Sequence, residues 1–263
     1  MSQKQVLHFA GGNGFTAGCY TKLLSLLGRD YQVIAIDKLG HNPEYPVDEN
    51  WVSINKELIS HIENNSSQPV IGVGHSLGSI LTFMAAQHRP DLFTKVIMVD
   101  PPLFYRPFAL FLRFMKISGL VDKIGLAART KKRRTKWSSR EEAKAFFKQR
   151  IPFDNFDPDC LEHYIEYGIK DTENGVRLVY DTNVESMVFR TTPHNLGSYK
   201  KKLAMPTTLI VGDQTYTSTR YVAKSFAKRF GLSYQIFKGG NHFFPFVYPE
   251  RAADVIKEAI RTL

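Results

Sequence analysis

One serine in this chain has neighbours suited to nucleophilic chemistry. Residues 70–80 read VIGVGHSLGSI, an apolar β-prone run that passes through Gly74-His75-Ser76-Leu77-Gly78 into helix-forming sequence. A serine hydroxyl is a weak nucleophile; it needs a base, an exposed position and donors for the oxyanion it creates. A sharp strand-to-helix turn supplies the exposure. Crowding at such a turn demands small flanking residues, here Gly74 and Gly78. The turn also sets the amide of Leu77 at a helix N-terminus, where free N–H groups face bound negative charge. The competing reading is an incidental serine in a glycine-containing turn. The strand before it and the helix after it favour the nucleophile.

A base has to come from elsewhere in the chain. His242, in GGNHFFPF (residues 239–246), follows the last strand-like run and precedes a helical one. It therefore belongs to the loops at the carboxyl ends of the strands, where sites form in open α/β sheets. His75 adjoins Ser76, but neighbouring side chains diverge, so it is not expected to reach the hydroxyl. His8 lies inside a strand and reads as a core residue. Carboxylates that end strand-like runs, Asp37, Asp100 and Asp213, are the candidates to orient an imidazole, and Asp37 reads as loop-ordering.

The elements that must hold these groups alternate. Short apolar runs fall at residues 5–10, 31–37, 70–75, 95–100, 207–213 and 233–239. Most are continuous rather than alternating in polarity, as in strands buried on both faces of a parallel sheet. Amphipathic helical patterns fall at 16–27, 50–64, 77–88, 217–230 and 247–262. This β-α alternation predicts a doubly wound, mostly parallel sheet of the α/β class. It breaks once, from Pro101 to about Leu203, which predicts a helical insertion between the fourth and fifth strands. The expected organisation is a core of residues 1–100 and 204–263 with a cap at 101–203.

Within the insertion, Phe104, Phe108, Phe111, Leu112 and Met115 recur at helical spacing, and apolar residues surround this helix. One face is expected to pack on the core. Another is expected to line a pocket over Ser76 with Phe15, Phe243 and Phe244, which implies an apolar acyl or aryl group. Packing alone is the plainer alternative. Contact with a membrane surface is a third reading, since basic residues follow the aromatics.

Net charge is +10 over 263 residues, and it is unevenly spread. Residues 101–150 hold fourteen Lys/Arg against three Asp/Glu, and 151–195 hold three against nine. The run Lys131, Lys132, Arg133, Arg134 is expected to find its partners in the acidic half rather than in nucleic acid. The pattern contains no dinucleotide or phosphate-loop fingerprint and no zinc spacing, so neither cofactor nor metal is implied. Two cysteines, Cys19 and Cys160, are too few for a disulfide framework. No run approaches the roughly 20 apolar residues of a membrane span. With no secretory leader pattern, the expected location is the cytoplasm.

Together, LHFAGGNGF (residues 7–15), GHSLG, the carboxylates after the later strands and GGNHFFPF resemble the α/β-hydrolase family over the whole chain. The resemblance implies a serine esterase or lipase-like enzyme with a Ser76–His242–Asp triad and a variable cap. It implies that the amide of Asn13 is the second oxyanion donor, beside that of Leu77. Gly11 stands where many members have histidine, and the family's first antiparallel hairpin is expected to be absent. The commoner acid position falls on Thr215, which cannot serve; Asp100, at the alternative position after the fourth strand, is preferred, with Asp213 left open. The implied chemistry is carboxylic ester hydrolysis of a small-molecule substrate. Thioester or C–C bond hydrolysis and a non-catalytic binding protein are the alternatives. Dehalogenase and epoxide hydrolase chemistry need a carboxylate at position 76.

Overall fold

The computed structural model describes residues 4–199 and 202–263. Residues 1–3, at the start of the expected core, and 200–201, near the end of the expected insertion, lie outside the described residues. The strands are β1 (Val6–Ala10), β2 (Gln32–Ile36), β3 (Val70–His75), β4 (Phe93–Val99), β5 (Lys136–Trp137), β6 (Ile169–Thr172), β7 (Gly175–Leu178), β8 (Thr207–Gly212) and β9 (Ser233–Phe237). Six of them form one sheet in the order β2-β1-β3-β4-β8-β9, with every pairing parallel. All six predicted runs are strands of this sheet.

Burial explains why their sequences read as they do. The inner strands β3 and β8 are buried at every position, whereas the edge strands β2 and β9 are buried only at their last residue. Helices cover both faces. Thr21–Gly28 and Pro249–Thr262 pack on one side through Leu23, Leu27, Ile256 and Ile260. Val52–Asn65, Leu77–His88 and Thr217–Phe230 pack on the other. In Val52–Asn65, Ile54, Leu58 and Ile62 recur every four residues and are buried, each contributing about 1.5–3 kcal/mol over exposure.

Strand order reverses between β1 and β3, which lie side by side with Ala10 opposite Gly74. A crevice opens at the carboxyl ends of strands at such a switch point. Here it lies between the loop after β1 and the turn that carries Ser76.

The segment between β4 and β8 holds helices Pro107–Ile117, Leu126–Lys131, Arg140–Lys148, Pro158–Gly168 and Thr182–Arg190. The expected helical insertion also holds a three-stranded antiparallel sheet, β5-β7-β6, which the sequence does not signal. β5 is two residues long, and β6 exposes three of its four residues. Neither has enough polarity alternation to read as a strand. No helix among the described residues is long and apolar enough to cross a membrane.

Candidate active site

Ser76 sits at the end of β3 with φ 53° and ψ −115°, a left-handed backbone that L-residues adopt at a cost of roughly 1–3 kcal/mol. Its surroundings enforce the turn. A Cβ on Gly74 would lie 2.3 Å from the Gly78 carbonyl oxygen, and one on Gly78 would lie 2.1 Å from that of Ala10. The helix Leu77–His88 thus starts against the end of β1, and the Gly78 amide donates to the Gly11 carbonyl at 3.0 Å. Ser76 is half-buried, at the wall of a cavity.

The His242 Nε2 atom lies 2.9 Å from Ser76 Oγ, and its Nδ1 lies 2.7 Å from Asp100 Oδ2. A carboxylate can only accept, so Nδ1 carries the proton and Nε2 is free to accept from the serine hydroxyl. Asp100 is fully buried and also has a positive φ, 44°. Its other oxygen, Oδ1, accepts from the Gly212 amide at 2.8 Å, and Oδ2 also accepts from the Thr215 hydroxyl. A buried carboxylate is tolerable only when its lone pairs are used in this way. Of the two open carboxylates, Asp100 is the one that reaches His242. Asp213 is exposed, and its carbonyl accepts from Arg220. Asp37 accepts from the Ala17 amide at 3.3 Å, as a loop-ordering residue would.

His75 points away from Ser76 and does something the sequence does not signal. It is buried, its Nε2–H donates to the His242 carbonyl at 2.9 Å, and its Nδ1 accepts from the Tyr20 hydroxyl at 2.7 Å. Tyr20 in turn accepts from the Gly12 amide at 2.8 Å. Burial, helped by the nearby His242, pushes the His75 imidazole down to about 3, so the ring stays neutral. This chain of bonds ties the loop after β1, the turn and the histidine loop together. A tyrosine opening a helix gives no hint of it.

Gly12, Asn13, Gly14 and Phe15 line the same cavity as Ser76, Leu77 and His242. No hydrogen-bond acceptor among the described residues takes the Asn13 or Leu77 amide. The Asn13 side chain is anchored, with Nδ2 donating to the Glu185 carbonyl at 2.9 Å. The expected oxyanion donors and the serine are therefore brought to one place.

The cavity measures about 430 Å³, and its wall is mostly apolar. Phe15, Phe104 and Phe243 line it as expected, with Phe111, Leu112 and Met115 from the helix Pro107–Ile117. Phe244 does not: it is buried and stacks on Phe237 at 4.1 Å. The helix turns little of itself to the core. Leu112 is its one buried residue, while Leu110, Phe111, Phe114 and Ile117 are 60–77% exposed. The basic run is divided: Arg133 pairs with Glu185 and Arg134 with Glu142, while Lys131 and Lys132 are exposed.

His8 is buried as expected and meets His61 at 2.9 Å. Cys19 and Cys160 are buried and unpaired. Among the described residues no group of three His, Cys, Asp or Glu side chains is placed to hold a metal ion.

Residues 6–255 match the model of the alpha/beta hydrolase family. The chain is 29% identical over 112 residues to the monoglyceride lipase of Rattus norvegicus, covering 40% of this chain and 37% of that protein. It is 29% identical over 136 residues to a type I acyl-CoA thioesterase of Penicillium brevicompactum, covering 50% of this chain and 29% of the other. The matched regions thus span only 29–37% of these curated relatives' own length. Among solved structures, E-2-(acetamidomethylene)succinate hydrolase superposes with a TM-score of 0.77 at 20% identity, over 99% of this chain and 92% of that one. Likeness at that identity is a likeness of fold. With the family match running across nearly all of its length, the chain belongs to the alpha/beta hydrolase family.

Proposed function

We propose that the protein is a serine hydrolase that cleaves carboxylic esters bearing an apolar acyl or aryl group. The observation that carries this reading is the relay Asp100–His242–Ser76, closed at 2.7 and 2.9 Å beside two unoccupied backbone donors.

The chemistry follows from the positions of protons. Ser76 Oγ attacks the acyl carbon as its proton passes to His242 Nε2. The imidazolium that forms is held by Asp100, whose carboxylate the Gly212 amide and the Thr215 hydroxyl keep in place. Negative charge on the former carbonyl oxygen meets the amides of Asn13 and Leu77. The Nε2 proton then goes to the departing alkoxide. Water enters, loses a proton to Nε2 and attacks the acyl-enzyme through a second oxyanion, which returns Ser76 and releases the acid.

In this reading residues 101–203 act as a cap over the core. Side chains of this segment, among them Phe104, Phe111, Leu112 and Met115, roof the cavity and keep water from the acyl chain. The exposed face of Pro107–Ile117, where Arg113 stands among Leu110, Phe114 and Ile117, is the feature that would let the cap meet an anionic membrane surface, whereas Lys116 is taken up by Glu49 and the Thr192 carbonyl. Co-sedimentation with anionic vesicles, lowered in Phe114→Glu, tests that contact.

Labelling by a fluorophosphonate, together with hydrolysis of p-nitrophenyl esters, tests the enzyme. Both are expected in the wild type and absent in Ser76→Ala. A folded wild type that is neither labelled nor active would sink the proposal. Thioester cleavage is the second reading, favoured by the likeness to an acyl-CoA thioesterase, and the same triad would carry it. Acyl-CoA and oxygen-ester substrates of equal chain length separate the two.

A further inference from the structure

The cavity wall is mostly apolar, and apart from Ser76 and His242 it holds a cluster of buried polar groups that lack hydrogen-bond partners. Tyr164 is completely buried, and its hydroxyl has no hydrogen-bond partner. Arg133 Nε and Nη2, Glu185 Oε2 and Asn13 Oδ1 likewise make no hydrogen bond. All four residues line the cavity, and Glu185 is 5% exposed. Arg133 Nη2 does lie 2.5 Å from Glu185 Oε2, so the two charges compensate. The N–H is not aimed along that contact, and the hydrogen-bonding capacity of both groups is left over. Buried polar atoms without partners are costly, and four residues leaving such atoms around one space is unusual in a native fold.

We propose that this cluster recognises a hydroxyl group on the substrate, so that the preferred ester carries an alcohol on its otherwise apolar part. The inference rests on the serine hydrolase reading and narrows it. The reason is the mix of free groups. Arg133 offers only donors, Glu185 Oε2 and Asn13 Oδ1 offer only acceptors, and Tyr164 offers both. A carboxylate would suit Arg133 and Tyr164 but face two acceptor oxygens. An ammonium would suit those oxygens but face the guanidinium. A ketone or ether accepts only, which leaves Glu185 and Asn13 unpaired. A hydroxyl donates one bond and accepts up to two, and it brings no charge to an already compensated pair.

The cluster is also close to the reacting centre. Asn13, whose backbone amide faces the oxyanion in the proposed mechanism, donates from its side chain to the Glu185 carbonyl. Gly14 lies under the Glu185 carboxylate, where a Cβ would come within 2.9 Å of Oε1. The recognised hydroxyl therefore belongs near the ester bond, on either side of it.

The test compares matched esters. On the acyl side, hydroxyalkanoyl p-nitrophenyl esters with the hydroxyl at successive carbons are set against the unsubstituted ester. On the alcohol side, glycol and glycerol esters are set against propyl esters. At least one hydroxylated ester is expected to have a kcat/KM ten or more times that of its plain partner. In Tyr164→Phe, which removes only the unpaired hydroxyl, that ratio is expected to fall about tenfold, and Glu185→Gln should lower it as well. Ratios within twofold of one in both series would mean that water alone fills the cluster, and the proposal would be overturned. A preference that neither variant alters would overturn it equally. Binding of the same ester pairs to Ser76→Ala, by calorimetry, reads recognition without turnover. Loss of labelling at Ser76 would count against the hydrolase reading, whereas equal binding of the pairs counts against the hydroxyl site alone.

Discussion

Thr215 donates its hydroxyl proton to Oδ2 of Asp100, the oxygen that also holds His242. The residue at the family's commoner acid position thus braces Asp100, the acid of the proposed triad. Asp100→Asn is expected to lower kcat by roughly 10³–10⁴, because an amide favours the wrong imidazole tautomer. Asp213→Asn should leave turnover of a short p-nitrophenyl ester within about twofold, since that side chain is exposed. Thr215→Val should cost about tenfold in kcat with little change in KM. The reverse ranking of the two aspartates would show the acid to be misassigned.

Ser76 holds a backbone conformation that glycine adopts freely. Ser76→Gly should therefore abolish ester turnover and still raise stability by about 1 kcal/mol, or some 2–4 °C in Tm for a chain of this size. Calorimetric melting of the two proteins checks it. A lower Tm in the variant would show that the turn stores no strain.

Gly78 has no room for a side chain. Gly78→Ala places a methyl 2.1 Å from the Ala10 carbonyl oxygen, where neither partner is a movable side chain. The variant is expected to lose 3 kcal/mol or more, or to be recovered only as aggregate. Urea unfolding or expression yield reports this. Gly28→Ala is the control, since its nearest neighbour would be 4.0 Å away.

Removing the Tyr20 hydroxyl leaves the Gly12 amide and His75 Nδ1 without partners in a closed space. Tyr20→Phe should destabilise the protein by about 1–3 kcal/mol. It should also lower kcat more than it changes KM, because the loop that carries Asn13 loses its tie to the turn. A pure stability loss with wild-type kcat would separate the network from catalysis.

Acid should destabilise the protein in a defined window. Burial holds His75 and His8 at about 3, well below the ordinary 6.5. The unfolded chain takes up their protons first as pH falls. Their contribution is thus complete above about pH 6.5 and shrinks on the way down to about 3, by roughly 1.4 kcal/mol per pH unit for each ring. Urea midpoints at pH 7.5 and pH 5 measure the fall, and His75→Gln should remove one ring's share. A flat profile over that range would mean that the rings are not held neutral.

The sheet was legible because each strand announced itself locally. Runs such as VIGVGH and TTLIVG are apolar on both faces, and the helices between them keep their own period. That Ser76 and His242 meet was legible because a crowded turn and a bending loop both need glycines, and glycines mark both. Local sequence does not separate Asp100 from Asp213, since both end strands and only the packing of loops after β4, β8 and β9 decides which one faces the imidazole. The Tyr20–His75 tie is set by contacts 55 residues apart, which no local pattern encodes. Arg133 was one of four adjacent cations in the sequence. That it alone turns inward to Glu185 depends on how Leu126–Lys131 meets Thr182–Arg190.

Asp100 is followed directly by Pro101 and Pro102, and Pro102 and Phe104 already line the cavity. The acid of the proposed triad and the residues that wall the cavity are thus covalent neighbours. Transplanting the roof of another hydrolase onto this scaffold therefore has one safe upstream junction, after Pro102. A chimera spliced three residues earlier, after Val99, would exchange Asp100 along with the roof and change specificity and the partner of His242 together.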